Sequence, residues 1–349
     1  MEPLLAEAVT VRVGIIGAGM IGTQHARRLV TQVAGCTVTA VADVVTPRAA
    51  ALAAEVGAAV CRTWQDLVAD PQVDAVLVAS PGQAHVDQVL AAVAAGKPVF
   101  CEKPLAPAAA DALRVVAAEA AAGRRIVTVG FMRRYDAGYR DLKAAIEGGE
   151  IGEPLLAHAI HRNASVPEGF VGEMSITDSL VHEFDAFRWL LQQEVVAATV
   201  VGVRRSPLAP AHLVDPRIVL LEFANGAVLD AESFVTSGYG YDVRCEVVGS
   251  RGTAALDHPR ATVILSDGRR AEAVPADWSV RFGQAYRDEL RGWVAALAGS
   301  GAGGSAVPVG AADAWDGYAA AAVAEAAVAA HRAGARTAVT LAAIPAMYR

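Results

Sequence analysis

The segment 176–185 reads ITDSLVHEFD and sets Asp178 and His182 four residues apart. On an α-helix that spacing places a carboxylate and an imidazole on one face. An imidazole, with an ordinary pKa near 6.5, is suited to accept a hydroxyl proton at neutral pH. A carboxylate one turn away can orient the ring and stabilise its cation. At about 100° per residue, Asp178, His182, Asp185 and Trp189 form one stripe of the helix, while Leu180, Phe184, Phe187 and Leu191 form the opposite, apolar one. A third polar group stands far off in the chain, in Glu102-Lys103-Pro104. An ammonium at Lys103 can hydrogen-bond a reacting oxygen and favour negative charge developing there. Base, orienting acid and ammonium together suit the oxidation of an alcohol, in which a proton leaves oxygen while hydride leaves carbon.

Hydride needs an acceptor, and GIIGAGMIG supplies a place for one. Gly17, Gly19 and Gly22 form GxGxxG after a strand pattern and at the opening of a helix. The glycines permit a tight turn and close backbone approach, and the helix amides, with Met20 and Ile21 in the first turn, face a pyrophosphate. Asp43 ends the next strand 21 residues after Gly22, where a carboxylate binds ribose hydroxyls and repels a 2′-phosphate. That favours NAD; Arg48 is close enough to admit NADP as well. Further strand ends open on the same crevice. They carry Ser80 and His85 in SPGQAH, then Glu102 and Lys103.

The elements that must position these groups fall into two patterns. Strand patterns at 11–16, 37–43, 73–80, 98–102 and 125–131 alternate with helical ones at 20–33, 47–56, 85–95 and 107–122. This predicts a parallel sheet covered on both faces. From 151 onward the rhythm becomes strand after strand, with turns at Asn225-Gly226 and Asp267-Gly268. It predicts an antiparallel meander interrupted by the Asp–His helix. GSGAGGS at 299–305 reads as a flexible loop joining helices at about 281–298 and 311–333. The fold class is therefore α/β, a Rossmann domain over 1–130 followed by an α+β domain over 131–349 with a large, mostly antiparallel open sheet; a C-terminal helix is able to pack back on the first domain.

Length and composition agree. The 349 residues suit two domains at roughly 150 residues each. With 54% hydrophobic residues, a net charge of −7 and no long basic run, a nucleic-acid partner is not expected. The four scattered cysteines form no CxxC, which fits a reducing compartment and no thiolate metal site. His158 and His161, three apart on a strand, point to opposite faces and do not share an ion. No apolar run reaches the roughly 18 residues of a membrane span. The N-terminus lacks a basic n-region and an apolar h-region, so no signal peptide is expected. The expectation is a cytoplasmic protein with no bound metal.

GAGMIG, the Ser-Pro-x-x-x-His loop, EKP and the D-x-x-x-H helix together resemble the glucose–fructose oxidoreductase, inositol dehydrogenase and rhizopine catabolism (Gfo/Idh/MocA) family, over nearly the whole chain. Within it the likeness runs to the inositol-oxidising members, through segments 129–155, 161–166, 178–191, 239–249 and 314–321. One departure is Ser80-Pro81-Gly82, where those members often carry Ser-Trp-Gly. The resemblance implies NAD-dependent oxidation of a cyclic polyol, foremost myo-inositol at one ring hydroxyl to the inosose. Scyllo-inositol, another cyclitol or a pyranose sugar are the alternative substrates, and a non-catalytic NAD- and sugar-binding sensor is the alternative class. It implies Lys103, Asp178 and His182 as the catalytic set. Arg133, His161, Asn163 and Tyr241 match positions that bind substrate beside Asp178 and His182. His161 and Asn163 share one strand face, as do Tyr239 and Tyr241. A homo-oligomer, a tetramer, is implied as well; poor alternation in VVAATVVGV agrees with cover on both faces of that sheet.

Overall fold

The computed structural model describes residues 10–170, 172–256, 262–299 and 304–349. The chain divides into two compact units. One runs to Phe131 and takes in Tyr286–Tyr318 and Ala343–Arg349, and the other comprises Met132–Ala285 and Ala319–Ala342.

The first unit is built in alternation: β1 (Val11–Ile16), α1 (Met20–Gln32), β2 (Cys36–Ala42), α2 (Thr46–Val56), β3 (Ala59–Val60), α3 (Trp64–Ala69), β4 (Ala75–Val78), α4 (His85–Ala94), β5 (Val99–Glu102), α5 (Ala109–Ala122) and β6 (Val127–Gly130). Strands β6-β5-β4-β1-β2-β3 lie side by side and all pair in parallel. Every residue of β4, β5 and β6 is buried, as strands between two helical layers must be. The short β3 and α3 escape sequence patterning, because two and six residues are too few to show a period. Thr63 and Asp66 nonetheless close α3 with a reciprocal capping box.

The second unit holds α6 (Ala137–Glu147), β7 (Pro154–Arg162), a π-helical turn at Ser175–Ser179, α7 (Val181–Leu191), β8 (Val195–Gly202), β9 (Arg217–Phe223), β10 (Val228–Phe234), β11 (Asp242–Gly249) and β12 (Thr253–Leu256). Next come the ribbon β13 (Ile264–Ser266) and β14 (Arg269–Ala271), then α8 (Trp278–Gly299), β15 (Ala312–Asp313), α9 (Ala314–Ala333) and β16 (Thr337–Ala338). The second sheet has the order β12-β11-β7-β10-β9-β8-β16. It is not the simple meander that the sequence suggests. β8, β9 and β10 run as one, but β7 lies between β11 and β10 and pairs in parallel with β10. Parallel neighbours need a long connection, and the segment with α7, β8 and β9 provides it. Alternation in β9 and β10 is clean, one face buried and the other half-exposed. The poor alternation of β8 does not mean full cover within one chain, since Val196 and Val201 stay exposed.

The helices after β14 do not belong wholly to the second unit. From Tyr286 onward α8 belongs with the first, where Leu290, Trp293 and Val294 join the core of β1, β2 and α1. Trp293 meets Phe100 at 5.6 Å between ring centroids. β15 extends the first sheet antiparallel to β6. Part of the glycine-rich loop at 299–305 lies outside the described residues. Asp215, between β8 and β9, is fully buried and accepts bonds from the Val235 and Thr236 amides at 3.0 Å each and the Thr236 hydroxyl at 2.6 Å. Asp215→Ala leaves those amides without an acceptor, and a loss of about 3 kcal/mol in unfolding free energy is expected in denaturant titration.

Candidate functional site

In the first unit the paired strands bring Gly17, Ser80 and Lys103 to one edge of the sheet. Ile16 is opposite Val78, and Val78 opposite Cys101. The reversal of strand order between β1 and β4 marks where ligands bind in such sheets. Gly17 sits at φ +101°, and a Cβ there would lie 2.6 Å from the Ala79 carbonyl and the Ser80 amide nitrogen. A Cβ on Gly22 would fall 1.9 Å from the Gly17 oxygen, so this loop and α1 close only with glycine. Gly19 differs: nothing lies within 4 Å of its Cβ position. It is the N-cap of α1, whose first amides receive no side-chain cap, and Met20 beside it is exposed. Open approach and uncapped amides fit a pyrophosphate.

The Asp43 carboxylate accepts the Ala18 amide on one oxygen and the Val45 amide on the other, each at 2.7 Å. It thus braces the glycine loop, while its remaining lone pairs are available to ribose hydroxyls. Arg48 is exposed. The Ser80 hydroxyl donates to Gln88 at 2.7 Å. His85 is buried, with its two ring nitrogens 2.8 Å from the Pro104 carbonyl and 2.7 Å from the Ser80 carbonyl. It stands between the SPG and EKP loops, and because burial pushes its pKa down, the neutral ring donates its single proton to one of the two carbonyls. Glu102, also buried, is held by His25 at 2.7 Å and accepts the Lys103 amide at 3.1 Å. His25, on α1, carries no motif and escapes sequence reading; only the fold brings it under β5.

In the second unit, Arg133, His161, His182 and Tyr241 are all buried. The His161 ring stands 5.9 Å from Tyr241, edge to face, and 6.4 Å from His182. Arg133 reaches His161 Nδ1 at 3.1 Å. Between them lies Glu183, which sequence reading passed over. Its carboxylate meets Arg133 at 2.5 Å and His161 Nδ1 at 3.0 Å. A signal existed: within α7, Glu183 falls about 40° from Phe187, at the edge of the apolar stripe. Burial alone would weaken the Arg133 cation, but Glu183 reverses this and holds its pKa above the ordinary value. For Glu183 burial pushes up, and Arg133 with His161 brings the net shift below the usual carboxylate value. Burial pushes the Tyr241 phenol up to about 12, so it remains a hydrogen-bond donor at any physiological pH.

Three expectations change here. Asp178 and His182 do not share one continuous α-helix. Asp178 belongs to the π turn, closed by the Leu180 amide on the Ser175 carbonyl at 3.1 Å, and α7 begins after it. Such turns re-aim side chains and recur at functional sites. The polar stripe is also not one site. Asp185 is fully buried against Arg134, and Lys143 lies 4.9 Å over the Trp189 ring. Tyr239 and Tyr241 do not share an environment, because Gly240, at φ +150°, turns the chain between them. Tyr239 is exposed and donates to Asp242, while Tyr241 faces His161. Asn163 has a buried amide oxygen with no partner among the described residues. His158 is on the far face of β7, paired with Asp230.

Residues 11–131 match the family model described as an oxidoreductase family with an NAD-binding Rossmann fold, and residues 139–255 match the GFO/IDH/MocA C-terminal domain. The chain belongs to the Gfo/Idh/MocA oxidoreductases. Inositol 2-dehydrogenase 3 of Saccharopolyspora erythraea is 48% identical over 97% of this chain and 98% of its own. Inositol 2-dehydrogenase of Ralstonia nicotianae is 47% identical over 98% and 100%. The solved myo-inositol dehydrogenase of Lactobacillus casei, in complex with NAD(H) and myo-inositol, superposes with a TM-score of 0.93 at 36% identity, over 97% of this chain and 100% of that one.

The glycine geometry separates two kinds of failure in this family member. Gly19→Ala is expected to keep the thermal midpoint within about 3 °C and to weaken NAD binding by at least about tenfold in a fluorescence titration. Gly22→Ala should lower the midpoint itself. Glu183, with its depressed folded pKa, adds stability that is complete above its unfolded value of about 4.3 and is lost as pH falls through the folded value. Acid unfolding followed by circular dichroism should therefore cost the wild type more stability between about pH 5 and 3 than Glu183→Gln.

Proposed function

We propose that this chain oxidises a cyclic polyol with NAD, taking myo-inositol to its 2-keto product, scyllo-inosose. The end-to-end likeness to a myo-inositol dehydrogenase solved with NAD(H) and myo-inositol carries this reading. The first unit holds the cofactor: Gly17, Gly19, Met20, Ile21 and Gly22 at the pyrophosphate, Asp43 at the ribose, and the Ser80, Glu102 and Lys103 loops, tied by His85, at the reactive end. NAD when bound accepts hydride.

The chain's own groups handle the proton and the remaining hydroxyls. His182 takes the hydroxyl proton, Asp178 orients and stabilises its ring, and the Lys103 ammonium hydrogen-bonds the reacting oxygen. Arg133, His161, Asn163 and Tyr241 bind further hydroxyls. The buried cluster of two histidines, an arginine and a phenol supports this, since a polyol needs many hydrogen-bond partners in a site otherwise shielded from water.

We also propose a homotetramer in the cytoplasm, the second unit serving both substrate and assembly. Ile218, Leu220, Val228 and Phe234 on the half-exposed face of the second sheet, exposed Val196 and Val201, and four free cysteines support it. Among the described residues no helix is long and apolar enough to cross a membrane.

NADH formation followed at 340 nm with myo-inositol should be clear with NAD and much weaker with NADP. Lys103→Ala and His182→Gln should each lower kcat by about 10²–10⁴, with NAD binding kept in His182→Gln. No turnover on any inositol or pyranose would reject the reading in favour of a sensor. Light scattering that finds a stable monomer would reject the assembly.

A further inference from the structure

The contacts around His161 raise a question of tautomer, with consequences for which substrates fit. Both polar contacts of the ring run through Nδ1, from the Glu183 carboxylate at 3.0 Å and the Arg133 guanidinium at 3.1 Å. One partner only accepts and the other only donates, so a single proton cannot satisfy both. Arg133 has other acceptors: Glu183 at 2.5 Å and the Tyr139 hydroxyl at 3.3 Å. Among the described residues the Glu183 oxygen that faces His161 has no other donor, and both residues are buried. A buried carboxylate oxygen without a donor costs more than one under-used N–H of a guanidinium. A second positive charge on the ring would also go unmatched, since Glu183 already balances Arg133. His182 from α7 and Tyr241 from the segment before β11 also face the ring.

We propose that Glu183 is a positioning residue that locks His161 in the Nδ1–H tautomer and so presents Nε2 as an acceptor for a substrate hydroxyl. The role of this hydroxyl rests on the polyol reading above. One hydroxyl carries one proton and cannot donate it to two bare nitrogens. With His182 taking the proton of the oxidised hydroxyl, His161 selects for a second one on the same molecule. The Tyr241 phenol, a donor, stands edge to face with the ring at 5.9 Å and adds a complementary partner for a hydroxyl. The pair thus favours polyhydroxy substrates over simple alcohols by chemistry rather than by size.

Glu183→Gln makes the idea testable. Its one amide oxygen must face the permanent charge of Arg133, which turns the amide NH₂ toward His161 Nδ1. The ring is then expected to switch to the Nε2–H tautomer. Long-range ¹H–¹⁵N spectra of the histidine rings of the whole protein read this directly, the His161 signal being assigned by its loss in His161→Gln. The expected result is a proton on Nδ1 in the wild type and on Nε2 in Glu183→Gln, with KM for myo-inositol raised about tenfold and kcat changed by less than about threefold. In a His161→Gln background, Glu183→Gln should then add little to KM. A wild-type ring protonated on Nε2, or on both nitrogens, overturns the proposal, and so does a folded Glu183→Gln enzyme with unchanged KM. If the wild type turns over no polyol, the functional reading falls instead, and the wild-type spectrum still decides the tautomer without any substrate or variant.

Discussion

A carboxylate removed from water must be matched, and Glu183 is almost completely buried. Its match is Arg133, which arrives from the start of the second unit, with His161 from β7 completing the set. The three groups come from a short 3-10 turn (Met132–Tyr135), β7 and α7, so pairing them fixes three elements relative to one another. An apolar cluster of similar volume would pack as well, but it would not specify the orientation of an imidazole. Here the charges leave little freedom: Arg133 stays protonated, Glu183 stays ionised, and the ring between them must answer to both. His182, next along the chain from Glu183, is delivered by the same first turn of α7. The helix start thus carries the proposed base and the group that organises its neighbour.

The first unit meets a different requirement with different means. A pyrophosphate has to come close to backbone amides, so bulk must be removed and the loop must hold its shape without side chains. Gly17 and Gly22 allow the backbone to touch itself, while Gly19 keeps the approach open. Rigidity returns from outside the loop. Asp43 holds it from β2, and His85 holds the two loops that follow β4 and β5. His25 and Glu102 add a buried histidine–carboxylate pair behind the Glu102-Lys103-Pro104 loop. In both units, polar groups brace the side chains and loops proposed to make contact with ligand.

The division of labour follows from the two sheets. Parallel strands covered by helices place all their carboxyl ends at one edge, suited to a single elongated ligand. The second sheet, open on one face, sets its buried side around His161 and leaves the other half-exposed. A polyol asks for many directional hydrogen bonds, and the buried face supplies imidazole, phenol and guanidinium side by side. The exposed face is left for another role, which membership of an oxidoreductase family does not itself specify.

By itself the sequence determined what local rules can encode. A nearly continuous apolar run marked β4, since a parallel strand covered on both faces has no wet side. GxGxxG and the aspartate 21 residues later marked the nucleotide loop, because backbone geometry leaves few residue choices there. The combination of EKP with the D-x-x-x-H segment marked the family. Tertiary structure decided what depends on distant partners. It put β7 between β10 and β11, gave the end of α8 to the first core, and broke the expected Asp–His helix with a π turn. It gave Asp185 to Arg134 and placed Glu183 between Arg133 and His161. The reason is physical: periodicity reports which face of an element is buried, but a buried charge takes its role from whichever opposite charge the fold brings to it.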